Sequence, residues 1–193
     1  MEVKVKKVVV LIAQGFEEIE ALSPVDYLRR AKVDVVLAAT ATEGKTVTAS
    51  HKVSVNCDVT LDEVLGEGQL PDAVVIPGGL PGATNIAGCK AALDFIERMF
   101  DAGKIVAAIC ASPALVLGKT KVLQGKSWTC YPQMEENVSA ELQKRHKVAP
   151  FVTDGNVVTA RGAGAAEQFS MELVRILCGE AEKDRIAKAT VQR

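Results

Sequence analysis

Apolar residues in this chain arrive in short β-rich runs separated by stretches with helical spacing. Val8–Ala13 is one such run and reads as a strand; a helix over about Glu17–Arg30 follows, and then a second strand, Val33–Ala39. Between Thr46 and Val59 the spacing drops to two, with Val47 and Ala49 answered by Val53 and Val55. That period predicts a small antiparallel ribbon. Ala73–Ile76 is a third, buried strand, stopped by Pro77-Gly78-Gly79. Leu93, Ile96, Met99 and Phe100 then recur at helical spacing up to Asp101-Ala102-Gly103, where Gly103 suits the residue just past a helix end. Lys104–Ile109 is a fourth strand, followed by Cys110-Ala111-Ser112-Pro113 and a helix through Leu117. Ser127–Cys130 and Phe151–Thr153 read as short strands, Asp154-Gly155-Asn156 turns the latter into Val157–Ala160, and a last helix covers about Ala165 to Cys178. Strands alternating with helices predict an α/β fold, a mostly parallel central sheet with helices on both faces. With no repeat, low-complexity segment or linker in view, residues 1–193 are expected to form one domain.

Composition narrows the function. Of 193 residues 48% are hydrophobic, enough to bury a core without a disulfide or metal staple. The 23 Lys+Arg against 24 Asp+Glu leave a net charge of -1, which argues against an electrostatic nucleic-acid binder. Aromatics at 4% argue against a base-stacking platform. The longest apolar run falls well short of the roughly 20 residues of a membrane span, and it passes into Gln14-Gly15-Phe16-Glu17-Glu18 rather than a cleavage site, so a cytoplasmic protein is expected. Cys57, Cys89, Cys110, Cys130 and Cys178 are odd in number and far apart, which suggests neither a disulfide framework nor a C-x-x-C pair and leaves at least one thiol free.

The sharpest chemical feature is Ile105-Val106-Ala107-Ala108-Ile109-Cys110-Ala111-Ser112-Pro113. A buried strand runs into a helix with a nucleophile at the corner, and the small Ala108 and Ser112 flank it as a nucleophile elbow requires. The helix start is expected to lower the Cys110 thiol pKa. Glu20, in Gly15-Phe16-Glu17-Glu18-Ile19-Glu20, projects with Phe16, Ser23 and Tyr27 at 100° per residue, so its carboxyl is expected to be partly desolvated and able to move a proton. Glu17 and Glu18 read as exposed first-turn acids. In a parallel sheet the carboxyl ends of adjacent strands share a crevice, and Glu20 and Cys110 both follow such ends. Pro77-Gly78-Gly79-Leu80-Pro81-Gly82 lacks a phosphate-loop lysine, but Gly78 or Gly79 with the N–H of Ala111 would form an oxyanion hole. Arg161-Gly162-Ala163-Gly164 fails as a dinucleotide loop because Glu167 replaces the third glycine; Arg161 remains a candidate anion contact. His51 and His146 read as solvated surface residues.

Together Gly15-Phe16-Glu17-Glu18-Ile19-Glu20, Pro77-Gly78-Gly79, Ala107-Ala108-Ile109-Cys110-Ala111 and Thr159-Ala160-Arg161-Gly162 resemble the ThiJ/PfpI superfamily, in its DJ-one (Parkinsonism-associated deglycase) branch. The resemblance implies a flavodoxin-like three-layer sandwich, usually a homodimer, with a reactive cysteine at Cys110, a protonated glutamate at Glu20, and no metal or organic cofactor. It implies deglycase or glutathione-independent glyoxalase activity on small α-oxoaldehydes and their glycated adducts. The alternative from the same branch is a non-enzymatic oxidative-stress sensor or chaperone reading out oxidation of Cys110. Ala111 stands where the protease and heat-shock branches place a histidine, which argues against a Cys-His peptidase. Tyr131 stands where several members carry a histidine behind the cysteine. A glutamine amidotransferase would want a His-x-Glu after Cys110, and none occurs.

Overall fold

The alternation of side chains along β1 (Lys7–Ile12) sets the layers of the molecule. Val8, Val10 and Ile12 pack into one core and Val9 and Leu11 into another, all five wholly buried, as in a strand covered on both faces. The computed structural model describes residues 5–192. After β1 come α1 (Glu18–Arg30), β2 (Asp34–Ala39), the ribbon of β3 (Thr46–Thr48) and β4 (Ser54–Asn56), and the short β5 (Val59–Thr60). Next are α2 (Leu61–Gly66), β6 (Ala73–Ile76), α3 (Gly82–Gly88), α4 (Lys90–Asp101), β7 (Ile105–Ile109), α5 (Ser112–Leu115) and α6 (Ala140–Gln143). The hairpin of β8 (Phe151–Asp154) and β9 (Val157–Ala160) precedes α7 (Ala166–Cys178) and α8 (Glu180–Ala189).

The seven-stranded sheet runs β5-β2-β1-β6-β7-β9-β8. Every neighbouring pair is parallel except β8 with β9. Helices α1, α7 and α8 cover one face through Leu28, Phe169, Leu173 and Ile186. Helices α2 to α5 cover the other, where Ile86, Phe95, Ile96 and Met99 are buried. Each such side chain contributes roughly 1.5–3 kcal/mol by leaving water. This is the parallel sheet with helices on both faces that the alternating pattern predicts, and the flavodoxin-like sandwich that the resemblance implies. The ribbon pairs Val47 with Val55, and Gly103, at φ 67, closes α4 with its N–H on the Phe100 carbonyl, both as expected.

Ser127–Cys130 does not form the expected strand. Among these residues only Trp128 makes a bridge, to His146. The N–H groups that a ladder would use are taken by side chains instead: Ser127 donates to Asp154 Oδ2 and Thr129 to Thr159 Oγ1, each at 2.9 Å. The wholly buried Trp128 donates its indole N–H to the Leu142 carbonyl at 2.9 Å. The helix after Cys110 is also shorter than expected, ending at Leu115 before a 3-10 turn at Leu117–Lys119.

Candidate active site: a cysteine elbow beside a buried glutamate

Strands β1, β6 and β7 are neighbours in the sheet, so the loops at their carboxyl ends converge. The segments that leave these strand ends carry Glu20, on the first turn of α1, Gly78-Gly79 and Cys110. Cys110 adopts φ 65, a left-handed conformation that costs a non-glycine residue about 1–2 kcal/mol. Three contacts hold it there. Its N–H donates to the Ala160 carbonyl at 2.9 Å, its carbonyl accepts from the Tyr131 N–H at 2.8 Å, and the hydroxyl of Ser112 anchors the next turn on the Pro77 carbonyl at 2.6 Å. Ala108 and Ser112 are both wholly buried, so nothing larger fits where strand and helix approach.

Glu20 is 1% exposed, on the first turn of α1. Its Oε2 accepts the Gly78 N–H at 2.9 Å, and the Ala163 N–H also points at the carboxylate. A Cβ placed on Gly78 would lie 2.6 Å from Cys110 Cβ and equally 2.6 Å from Glu20 Oε2, so thiol and carboxyl meet across this glycine. Burial pushes the Glu20 carboxyl up to about 7, with the thiol of Cys110 pulling it back and the charge of Glu17 adding to the rise.

Burial also pushes the Cys110 thiol up to about 12, and the Glu20 charge adds to that rise, while the N–H groups of Ala111 and Gly79 favour the thiolate. This reverses the lowered thiol pKa expected from a helix start. The reason is that α5 is a single turn, with little dipole, and the sulfur is shut away from water beside a carboxylate. Glu20 and Cys110 therefore titrate as a pair, and a proton on Glu20 removes the charge that opposes the thiolate.

The raised Glu20 pKa has a signature in stability. Between its ordinary 4.5 and about 7 the folded carboxyl keeps a proton that the unfolded chain has released, so stability present below pH 4.5 is lost as pH rises through 7. The loss should reach about 3 kcal/mol relative to Glu20→Gln. Urea midpoints of both proteins at several pH values across this window check it, and parallel curves would refute it.

The other candidate residues sort as follows. Gly79 and Ala111 direct their N–H groups at the sulfur, but the Gly78 N–H is engaged by Glu20 and is not free to hold an oxyanion. Arg161 follows β9, is exposed, and has no carboxylate partner among the described residues. It lines a groove of about 670 Å³ with Tyr131, Gly162, Ala163 and Gln168, and the Ala163 N–H ties this groove to Glu20. The Tyr131 side chain is half exposed; its backbone is what touches Cys110.

Three expectations change. Glu17 and Glu18 are not exposed, keeping 14% and 12% of their side-chain surface, because Glu17 caps α1 and Glu18 Oε2 meets His51 Nδ1 at 2.8 Å. His51 itself is exposed as expected, and its hydrogen bond to the Glu18 carboxylate raises its pKa. His146 is half-buried, with Nε2 3.8 Å from Cys130 Sγ. The Ala163 contact escaped the sequence reading altogether. Its signal was the small Gly162-Ala163-Gly164 after a strand end, which permits close approach of backbone to a carboxylate just as to a phosphate.

Fold and elbow together define a class: flavodoxin-like proteins with a cysteine elbow at the end of a central strand. The chain belongs to the DJ-1/PfpI family, whose sequence profile matches residues 6–176. It is 38% identical over 96% of its length to Protein DJ-1 homolog A of Arabidopsis thaliana, and spans 46% of that relative. It thus covers about half the length of the plant relatives it matches. Identity to Deglycase PH1704 of Pyrococcus horikoshii is 32%, covering 89% of this chain and 99% of that one. Among solved structures, oxidized DJ-1 of Toxoplasma gondii superposes with a TM-score of 0.89 at 32% identity, covering 97% of this chain and 98% of the other.

Proposed function

We propose that the protein is a cysteine-dependent deglycase or glutathione-independent glyoxalase acting on small α-oxoaldehydes and their adducts with amines. The observation that carries this reading is the buried Glu20 carboxyl facing Cys110 across Gly78, with the N–H groups of Gly79 and Ala111 directed at the sulfur. Transfer of the thiol proton to Glu20 makes the nucleophile. The sulfur then forms a bond to the aldehyde carbon, the π pair moves to oxygen, and Glu20 returns the proton there. Gly79 and Ala111 stabilise the transient oxyanion. Glu20, again a carboxylate, takes the proton from the carbon bound to sulfur and returns it to the neighbouring carbon, while the hydroxyl proton on the first carbon passes to the oxygen of the second, which yields a thioester of a 2-hydroxy acid. Water releases the acid and restores the thiol. From a glycated adduct the sulfur takes the amine's place on that carbon, the C–N bond breaking as the S–C bond forms, and the amine leaves with the proton that Glu20 took from the thiol. Every step uses protein groups and water, without net oxidation, so the scheme calls for no metal or organic cofactor. Arg161, at the groove, is placed to meet an anionic substrate group. The family resemblance to a named deglycase supports the reading.

Conversion of methylglyoxal to lactate by the purified protein tests it. Glu20→Gln keeps hydrogen-bonding capacity without an exchangeable acidic proton and should reduce turnover by about 100-fold; Glu20→Ala should reduce it further. Unchanged turnover in both would remove Glu20 from the chemistry. The family resemblance also leads us to propose a homodimer, for which light scattering at micromolar concentration should give about twice 20.5 kDa. A clean monomer would refute that assignment.

The carboxyl beside Cys110 supports a second reading, a redox sensor, since it is positioned to hydrogen-bond a sulfinate oxygen. The Toxoplasma relative was solved oxidized. In tryptic mass spectra after graded peroxide, Cys110 should gain oxygen before Cys57, Cys89, Cys130 and Cys178. Prior modification of any of those four would exclude it.

A further inference from the structure

We propose that Cys130, Glu135 and His146 form a binding site for a zinc-class divalent cation, separate from the Cys110 elbow. The three come from different local structures. Cys130 follows the bridge residue Trp128, Glu135 lies in the 3-10 turn Met134–Asn137, and His146 is the bridge partner of Trp128. Their ligand atoms, one from each residue, all lie within 4.8 Å of one another. Cys130 Sγ is 3.8 Å from Glu135 Oε2 and 3.8 Å from His146 Nε2.

Zinc bonds of about 2.3 Å to sulfur and 2.0–2.1 Å to nitrogen or oxygen, at tetrahedral angles, put ligand atoms roughly 3.3–3.6 Å apart. The sulfur contacts therefore need to close by only a few tenths of an ångström. Thiolate, imidazole and carboxylate make a borderline-soft set that suits zinc better than magnesium or calcium.

The surroundings preorganise the donors. The His146 ring packs edge-on against Trp128, with centroids 5.1 Å apart, and the Lys147 N–H holds the same backbone to the Trp128 carbonyl at 2.7 Å. Cys130 is 2% exposed at the bottom, while Glu135 and His146 are half-buried, so a fourth position opens outward. Burial, together with the Glu135 charge, pushes the Cys130 thiol up to about 12. A cation would reverse the sense of that carboxylate, displacing the thiol proton and being held by both groups, so uptake should release a proton.

Cobalt(II) titration reads the sulfur directly, through a thiolate-to-cobalt charge-transfer band. Run on the full chain carrying Cys110→Ser, it should give one equivalent, displaced by zinc(II). Cys130→Ser in that background should abolish the band. Glu135→Gln and His146→Gln, at half-buried positions, should each weaken binding by at least about 10-fold with unaltered melting curves. The proposal is overturned if the parent shows no such band, or if the band survives Cys130→Ser. Should Cys130→Ser fail to fold, unchanged affinity in both other variants would overturn it equally.

Discussion

Cys110→Ser should reduce methylglyoxal turnover by about 10³-fold or more, equivalent to about 4 kcal/mol of barrier, while leaving the fold intact. Serine is nearly the same size and can adopt the same left-handed backbone with its N–H on Ala160 and its carbonyl on Tyr131. What it lacks is acidity. A hydroxyl beside Glu20 cannot pass its proton to a carboxyl with a pKa of about 7 to any useful extent, whereas the thiol, at about 12, is the stronger acid and faces a smaller gap. Steady-state rates and urea midpoints measured on the same preparations separate chemistry from folding. Residual turnover above a tenth of wild type would move the nucleophile away from residue 110.

The largest loss of stability is expected from Gly79→Ala. Gly79 has φ +87, and a Cβ there would fall 2.4 Å from the Glu17 nitrogen and 2.6 Å from both the Gly15 oxygen and the Phe16 carbonyl carbon. All three are backbone atoms and cannot swing aside. Left-handed strain of about 1–2 kcal/mol and overpacking of about 1–3 kcal/mol add to roughly 2–5 kcal/mol, a large part of an ordinary folding free energy. Gly78→Ala makes an informative contrast, because its obstacles are the Cys110 Cβ, Glu20 Oε2 and, at 3.0 Å, the Ile109 oxygen. That methyl should separate thiol from carboxyl and cost more in turnover than in stability. Denaturation midpoints would decide the matter, and a Gly79→Ala protein within about 1 kcal/mol of wild type would show that this loop adapts.

The central layers were legible because burial on both faces leaves a plain mark: Val8–Ala13, Ala73–Ile76 and Lys104–Ile109 are apolar runs of strand length between breakers. Elements held by few apolar contacts left little mark. In α8 only Ile186 is buried, so its sequence lacks an apolar stripe, and the helical pattern in the sequence stops at Cys178. Helix α2 carries a local signal of its start, the capping box in which Thr60 and Glu63 satisfy each other's backbone. Trp128 misled, since an apolar stretch of strand length can instead surround one anchored indole whose neighbours bond to side chains. At the site, the elbow and the desolvated carboxyl followed from residue type and spacing. The direction of the thiol shift did not, because it depends on how short α5 is and how closely Glu20 approaches, distances that no local pattern records.

The backbone clamp on Cys110 has a consequence for the order of assembly. Residues 131 and 160 supply the two hydrogen bonds that hold the left-handed elbow, and both are made after residue 110 during synthesis. Until residues 131 and 160 are in place, two of the three contacts that offset the unfavourable torsion are missing. The clamp that holds the strained elbow is therefore complete only when segments far later in the chain have joined it.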